Sequence, residues 1–433
     1  MKLNGLLCLL LAAFVLTFAY NASAEKVTYT DSWGQQGVTL KAQNTSGVTV
    51  NFSIKEFSID SRPINGENMQ EISLEGIFLP NGEGAPNLPT ISKYIAIPQG
   101  AVASIEILNT RKESFQNIVM APAPRIPLET ERGPLQYNRD LSIYSKNAFY
   151  PAQPAVISQN MKIRGVDMVM LSVTPYQYNP VTKELVVYRD MEVRVNYTGG
   201  NGQFGVTRLR SRYWDPIIMD NALNSESIPA VNYSAQTVQR SNSDATGCEY
   251  LIIVPNDPVF KQWADTIKAF RTEQGILTNI VTLQQIGNNT SNAIETYINN
   301  AYNTWDIPPS AILIMADYGS NAQNTITAPI WDNYCVSDNI YADVDNDDMP
   351  EIAFARMTAN NAAQLEIYVR KFIDYERTPP TAPDFYDHPI TALGWQTERW
   401  FQICSEVVGG FFKNSLGKDP VRINAVYQGN PDV

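Results

Sequence analysis

The chain has 433 residues, 44% hydrophobic and 18% charged, enough apolar material for two or three globular domains and too much for a disordered chain. Asp and Glu (44) outnumber Lys and Arg (32), giving a formal charge of -12. That balance repels nucleic acid and anionic membrane surfaces, and no basic stripe or phosphate-binding glycine loop offsets it.

The N-terminus reads as an export signal. Lys2 precedes the apolar run Leu6 to Phe18, and Ala22-Ser23-Ala24 forms a small-x-small site before Glu25-Lys26. Cleavage is expected after Ala24, which makes residues 1–24 a signal peptide and the product secreted or cell-surface. The run is short for a bilayer, and no later segment suits a transmembrane helix. Removing the signal leaves Cys248, Cys335 and Cys404, an odd and widely spaced set without CxxC spacing. They form neither a disulfide framework nor a zinc pattern. Two of them could pair, and the sequence does not select which.

Residues 25–200 carry short β-branched or alternating runs: Val48 to Ile54, Ile72 to Phe78, Tyr94 to Ile97, Ser104 to Leu108, Met168 to Thr174, Leu185 to Tyr188 and Met191 to Tyr197. Gly, Pro and Asn punctuate them, so a β-sandwich is expected. Residues 201–247, opened by Gly199-Gly200-Asn201-Gly202, are polar with isolated Arg208, Arg210, Arg212 and Arg240, and read as a linker. From 248 to 433 strands and helices alternate. Strands are expected at Tyr250 to Val254, Thr278 to Leu283, Ala311 to Ala316, Ile352 to Phe354, Ile390 to Trp395 and Arg422 to Tyr427. Helices are expected at Phe260 to Gln274, Ser291 to Asn303, Gln364 to Arg377 and Arg399 to Leu416. This order predicts a mostly parallel sheet covered on both faces.

Three places could carry chemistry. The loop Tyr341 to Glu351 packs five acids into residues 343–351. Hard oxygen ligands at this spacing suit Ca²⁺, although the sixth-position glycine of an EF-hand is missing; the same loop could equally be a solvated turn. Glu398, between Trp395 and Trp400 after a strand, is either a functional carboxylate in a sheet-end crevice or an ion pair with a neighbouring arginine. His388, the sole histidine, has no nucleophile evident beside it and reads as a surface-loop residue. Asn289-Thr290-Ser291 reads as a chance sequon.

These residues resemble the gingipain family of cysteine peptidases, family C25, together with its propeptide. The propeptide likeness rests on Gly84-Ala85-Pro86-Asn87-Leu88-Pro89, Tyr94-Ile95-Ala96-Ile97-Pro98 and Pro175-Tyr176-Gln177-Tyr178-Asn179-Pro180. The peptidase likeness rests on Tyr250 to Pro255, Trp263-Ala264-Asp265 through Arg271 and Gly275, Leu313 to Tyr318, Pro350 to Arg356, and Tyr375-Glu376-Arg377. The resemblance implies a β-sandwich pro-domain, a caspase-like α/β domain incomplete at its C-terminus, and a secreted latent cysteine endopeptidase acting on proteins or peptides. The pro-domain would cover the cleft as an intramolecular inhibitor until the 201–247 region is cut, with the arginines there as processing sites.

The family's histidine follows a strand in a Gly-His-Gly segment, and its cysteine follows the next strand. Neither segment is found up to Val433, so the dyad is expected beyond this chain, which alone would be inactive. Glu398 aligns with the glutamate that orients the family's catalytic imidazole, though Gln-Thr-Glu-Arg-Trp replaces a small-residue segment there. The family's calcium site maps to Asp317, the carbonyls of Val344 and Met349, and the carboxylates of Asp347 and Glu351. Asp343 and Asp345 would be extra ligands or solvated. Ala355-Arg356 stands where the family has Gly-Arg. Two other readings compete with the peptidase: a non-catalytic cell-surface binding protein on the same fold, and a gingipain-like transpeptidase of a secretion system.

Overall fold

The computed structural model describes residues 23–75, 77, 81–125, 135–233, 246–333, 335–393, 400–414, 416–427 and 430–432. Most of the expected signal peptide, Arg240 and Glu398 lie outside the described residues. No helix among the described residues is long and apolar enough to cross a membrane.

The N-terminal unit is antiparallel β-structure. In one sheet the long strand Glu184–Gly199 pairs with Tyr176–Asn179, Gly47–Ser53 and Ala101–Phe115, and Gly37–Asn44 extends it. A second sheet pairs Val166–Val173 with Ile91–Ala96, Ala155–Ile157 and Met161–Ile163. A third joins Ser23–Thr28, Glu56–Ile64 and Glu67–Ser73. Buried Val50 and Phe52, Val193 and Val195, Ile95, Val169 and Leu171 belong to one core drawn from the first two sheets, as a sandwich requires. The two strands expected at 185–188 and 191–197 are one strand. A register shift between Tyr188 and Asp190 interrupts the alternation, which is why the pattern reads as two. At the start of the Gly84 to Pro89 motif, Gly84 has φ 78° and a Cβ there would lie 3.0 Å from the Asn138 carbonyl oxygen, so only glycine fits.

The span expected as a linker is folded over much of its length. Helix Asp215–Asn221 and the 3-10 turn Ser225–Ser227 follow the last strand. Phe204, Trp214, Ile218, Ala222 and Ile228 form a core with Ile163, Val166, Met168 and Ala96, so residues 204–228 pack as part of the N-terminal unit.

The C-terminal unit is doubly wound. Its parallel sheet has the order Thr278–Thr282, Tyr250–Val254, Ala311–Met315, Ala353–Met357. Leu251 to Val254 and Ile312 to Ala316 are all buried, because helices cover both faces. Helices Pro258–Glu273, Ser291–Thr304 and Ala362–Arg377 are capped by Asp257, Thr290 and Asn361. Ile390–Leu393 and Val421–Tyr427 pair in parallel around helix Trp400–Asn414. Among the described residues they bond to each other and to Asn430–Asp432, not to the four-stranded sheet.

Candidate functional site

The acidic turn lies at the amino-terminal rim of the parallel sheet. Helix Asn339–Ala342 enters it and strand Ala353–Met357 leaves it. Asn346 (φ 59°) and Asp348 (φ 69°) adopt left-handed backbone, which Asn and Asp tolerate better than most side chains. The turn folds back because Asp343 accepts the backbone N–H groups of Asp347 (3.2 Å) and Asp348 (3.1 Å). Carboxylate oxygens of Asp343, Asp345 and Glu351 lie within 4.8 Å of one another.

Glu351 is the unusual member. It is 2% exposed; its Oε2 accepts the Val344 N–H at 2.8 Å, and its Oε1 is buried without a protein partner. Burial, followed by Asp345, Asp347 and Asp343, pushes its carboxyl up to about 8 despite the Val344 hydrogen bond. A buried oxygen facing two more carboxylates is a donor set suited to a hard cation. Asp347 is occupied otherwise: it accepts from the N–H groups of Met349 and Lys162.

The structure does not bring Asp317 to this turn. Ala311 pairs with Ala353, so Glu351 stands level with Pro309, whereas Asp317 follows the carboxyl end of the same strand. Eight residues of near-extended chain separate those levels, roughly 26 Å. Asp317 instead lies beside the topological switch point between Tyr250–Val254 and Ala311–Met315, the rim where open α/β sheets bind ligands. Its carboxylate accepts the Tyr318 N–H at 2.8 Å. The acid-rich turn is therefore not on the carboxyl-terminal rim. Glu398 lies outside the described residues.

The N-terminal unit grips this same amino-terminal rim. Lys162 reaches Asp345 with its Nζ at 3.2 Å. Arg164, 1% exposed, donates to the carbonyls of Pro309 (2.6 Å), Pro308 (3.1 Å) and Glu351 (3.2 Å) and to Ser310 Oγ (3.2 Å). Its guanidinium lies 5.1 Å from the Tyr302 ring centroid. Burial pulls Arg164 down to about 10, still charged at neutral pH. Trp214 Nε1 donates to the Ser310 carbonyl at 2.9 Å, and the Met349 side chain packs on the Trp214 core.

The arginines expected as processing sites have structural partners. Arg208 donates to the carbonyls of Tyr302, Asn303 and Trp305, the open C-terminus of helix Ser291–Thr304. Arg210 is bidentate on Asp215 at 2.6 and 2.7 Å. Arg212 meets Glu249 and the Gly275 carbonyl. Composition shows isolated charges; it does not show carbonyls supplied from about 100 residues away.

Cys248, Cys335 and Cys404 are free thiols. Burial pushes the Cys248 thiol up to about 12, unsuited to a nucleophile. His388 is exposed, with Nδ1 3.0 Å from the Asp419 carbonyl oxygen, consistent with a surface-loop residue.

A model of the C25 propeptide matches residues 30–204, and a model of Peptidase family C25 matches residues 243–399. Gingipain R2 of Porphyromonas gingivalis is 24% identical over 315 residues, 71% of this chain and 40% of the relative. Lys-gingipain HG66 of the same organism is 23% identical over 348 residues, 77% of this chain and 19% of the relative. The chain thus spans less than half the length of these relatives. A solved complex of Porphyromonas gingivalis RgpB pro- and mature domains aligns with TM-score 0.39 at 22% identity, over 43% of this chain and 97% of that one. With propeptide and peptidase models of one family matched in that order over most of its length, the chain belongs to peptidase family C25.

Proposed function

We propose that the chain is the leading part of a secreted, latent cysteine endopeptidase, exported by its first 24 residues and silenced by its own pro-domain. The observation that carries this reading is the succession of a C25 propeptide and a C25 peptidase domain in one polypeptide. In the complete enzyme a cysteine thiolate attacks the peptide carbonyl and a histidine moves the proton to the leaving amine. Both would follow Val433, and Glu398 would orient the imidazole. The substrates would be proteins or peptides.

The test uses the full-length gene product. Peptide hydrolysis should rise when the chain is cut between residues 234 and 245, and thiol alkylation should abolish it. No hydrolysis before or after cutting would favour the non-catalytic binding protein. In the same enzyme, Glu398→Gln should lower kcat by about 10- to 100-fold with little change in KM, since it acts on the imidazole and not on substrate binding. An unchanged kcat would remove Glu398 from the mechanism.

We also propose calcium as a structural ion of the turn, held by Asp343, Asp345 and Glu351. The orphaned Oε1 of buried Glu351 supports it, because an ion would satisfy that oxygen and cancel the repulsion among the acids.

A further inference from the structure

We infer that a small cavity among Arg164, Arg210 and Arg212 is a structural site for one monovalent halide, chloride under ordinary conditions. The site is independent of peptide-bond chemistry.

Its size sets the class of ligand. The cavity measures about 10 Å³ and is lined by the three arginines with Ser211, Glu249 and Ser310 among others. That is room for roughly one water-sized sphere, so a water or a monatomic ion fits, whereas phosphate, sulfate and carboxylates do not. Much of the wall is dry: Arg164, Arg210, Ser211 and Ser310 are each at most 5% exposed.

The unmet groups of the wall are donors. Arg164 engages its two terminal nitrogens in a socket made of the Pro308, Pro309 and Glu351 carbonyls and Ser310 Oγ. Arg212 gives Nη2 to Glu249 and to the Gly275 carbonyl. Arg210 is engaged at all three nitrogens, with Nε and Nη2 on Asp215 and Nη1 on the Pro229 carbonyl. The Nε atoms of Arg164 and Arg212 remain, both buried and both without a partner. An unmet buried donor on a charged group is costly, and here two side chains lining one cavity each leave the same one.

The acceptor side is already settled. Among the described residues, no side-chain acceptor lining the cavity is buried and unpartnered. Ser211 Oγ accepts from Ser310 Oγ at 2.7 Å, and Tyr233 donates to Asp215 at 2.6 Å. A water would meet the two Nε–H groups but bring two protons of its own to this wall; a halide accepts and donates nothing. Charge selects the halide as well. Three arginines face two carboxylates, Asp215 and Glu249, which leaves one positive charge in excess. Burial disfavours the charge on Arg164, and nearby Arg208 adds to the effect. One bound halide closes this balance, as buried charge requires.

The test uses the full chain. Crystals grown in bromide should show an anomalous peak in the cavity, within hydrogen-bonding distance of both Nε atoms. In solution, exchanging chloride for gluconate, which is too large for the cavity, at equal ionic strength should lower the melting temperature by about 3 °C, as for a ligand lost from roughly ten times its Kd. Arg212→Met removes one Nε donor and the excess positive charge, so its melting temperature should not respond to the exchange. A response that persists in Arg212→Met would be a general salt effect and would overturn the site. A bromide peak with no chloride response in the wild type would mark an adventitious ion only and would overturn it too. Should Arg212→Met fail to fold, the wild-type map decides: a cavity without an anomalous peak in bromide holds water, and the inference falls.

Discussion

Calcium added to chelator-treated protein at pH 8 should raise the melting temperature of the peptidase unit by about 5–10 °C, and Glu351→Gln should abolish that rise. A ligand at 100 times its Kd adds about 2.7 kcal/mol, and for a unit of this size 1 kcal/mol corresponds to about 2–4 °C. In the chelated protein the same substitution should raise stability, because it replaces a carboxyl that burial and three neighbouring acids disfavour in its ionised form. The opposite signs in the two conditions separate a cation site from a structural carboxylate. A calcium shift that survives in Glu351→Gln would place the ion elsewhere.

The pH dependence follows from the same group. Its carboxyl titrates from 4.5 ordinarily to about 8 in the fold, so between those values the folded chain holds a proton that the unfolded chain has released. Stability of the chelated protein should therefore fall as pH rises from about 5 to 8, by at most about 4 kcal/mol. The groups facing Glu351 are Asp343, Asp345 and Asp347 on its own turn and Arg164 from the pro-domain. The acids steepen the slope; Arg164, held at the Glu351 carbonyl, moderates it. Calcium should flatten the slope by favouring the ionised carboxylate, and so should Glu351→Gln by removing the titration. Urea unfolding midpoints across pH 5–8, with and without calcium, measure both effects.

Much of the α/β unit is legible locally. Strands buried on both faces need continuous apolar runs, and Leu251 to Val254 and Ile312 to Met315 supply them. Helices announce themselves through Asp257-Pro258 and Asn361 at their starts. The site is less legible because register, not composition, assigns residues to a rim. Asp317 and the acidic turn are neighbours in the family's motif order and yet sit at opposite ends of the strands. The segment after Gly199 misleads for a related reason: its glycines and arginines look like a solvated linker. Phe204, Trp214, Ile218 and Ile228 are the apolar signal that it packs. The hairpin at Arg164-Gly165 could have been read from its two-residue turn between apolar strands. Its socket could not, since the acceptors are backbone carbonyls that every sequence possesses.

Arg356→Met should cost about 3 kcal/mol and expose the 317–338 insertion to proteolysis, because this arginine ties the carboxyl-terminal rim together. Its side chain is 8% exposed and forks onto Asp338 at 2.7 and 2.8 Å. It also donates to the carbonyls of Ile326 (2.9 Å) and Thr327 (3.3 Å). One side chain on the edge strand thereby fixes the paired segments Asp317–Tyr318 and Thr325–Ile326, which flank the switch point. Methionine fills similar volume but leaves the mostly buried Asp338 carboxylate and two carbonyls without their donor, the loss that makes breaking such a pair expensive. With about 2–4 °C per kcal/mol, the melting temperature should fall by about 9 °C. Chymotrypsin should then cut after Tyr318 or Trp331 before it cuts the sheet strands, since the insertion loosens while Leu313 and Ile314 keep the core. Asp338→Asn, which keeps an acceptor for the guanidinium but loses the charge, should cost less. Equal losses for the two variants would mean that the insertion is held by its own pairing and not by the arginine fork. A protease pattern unchanged in Arg356→Met would exclude the tie altogether.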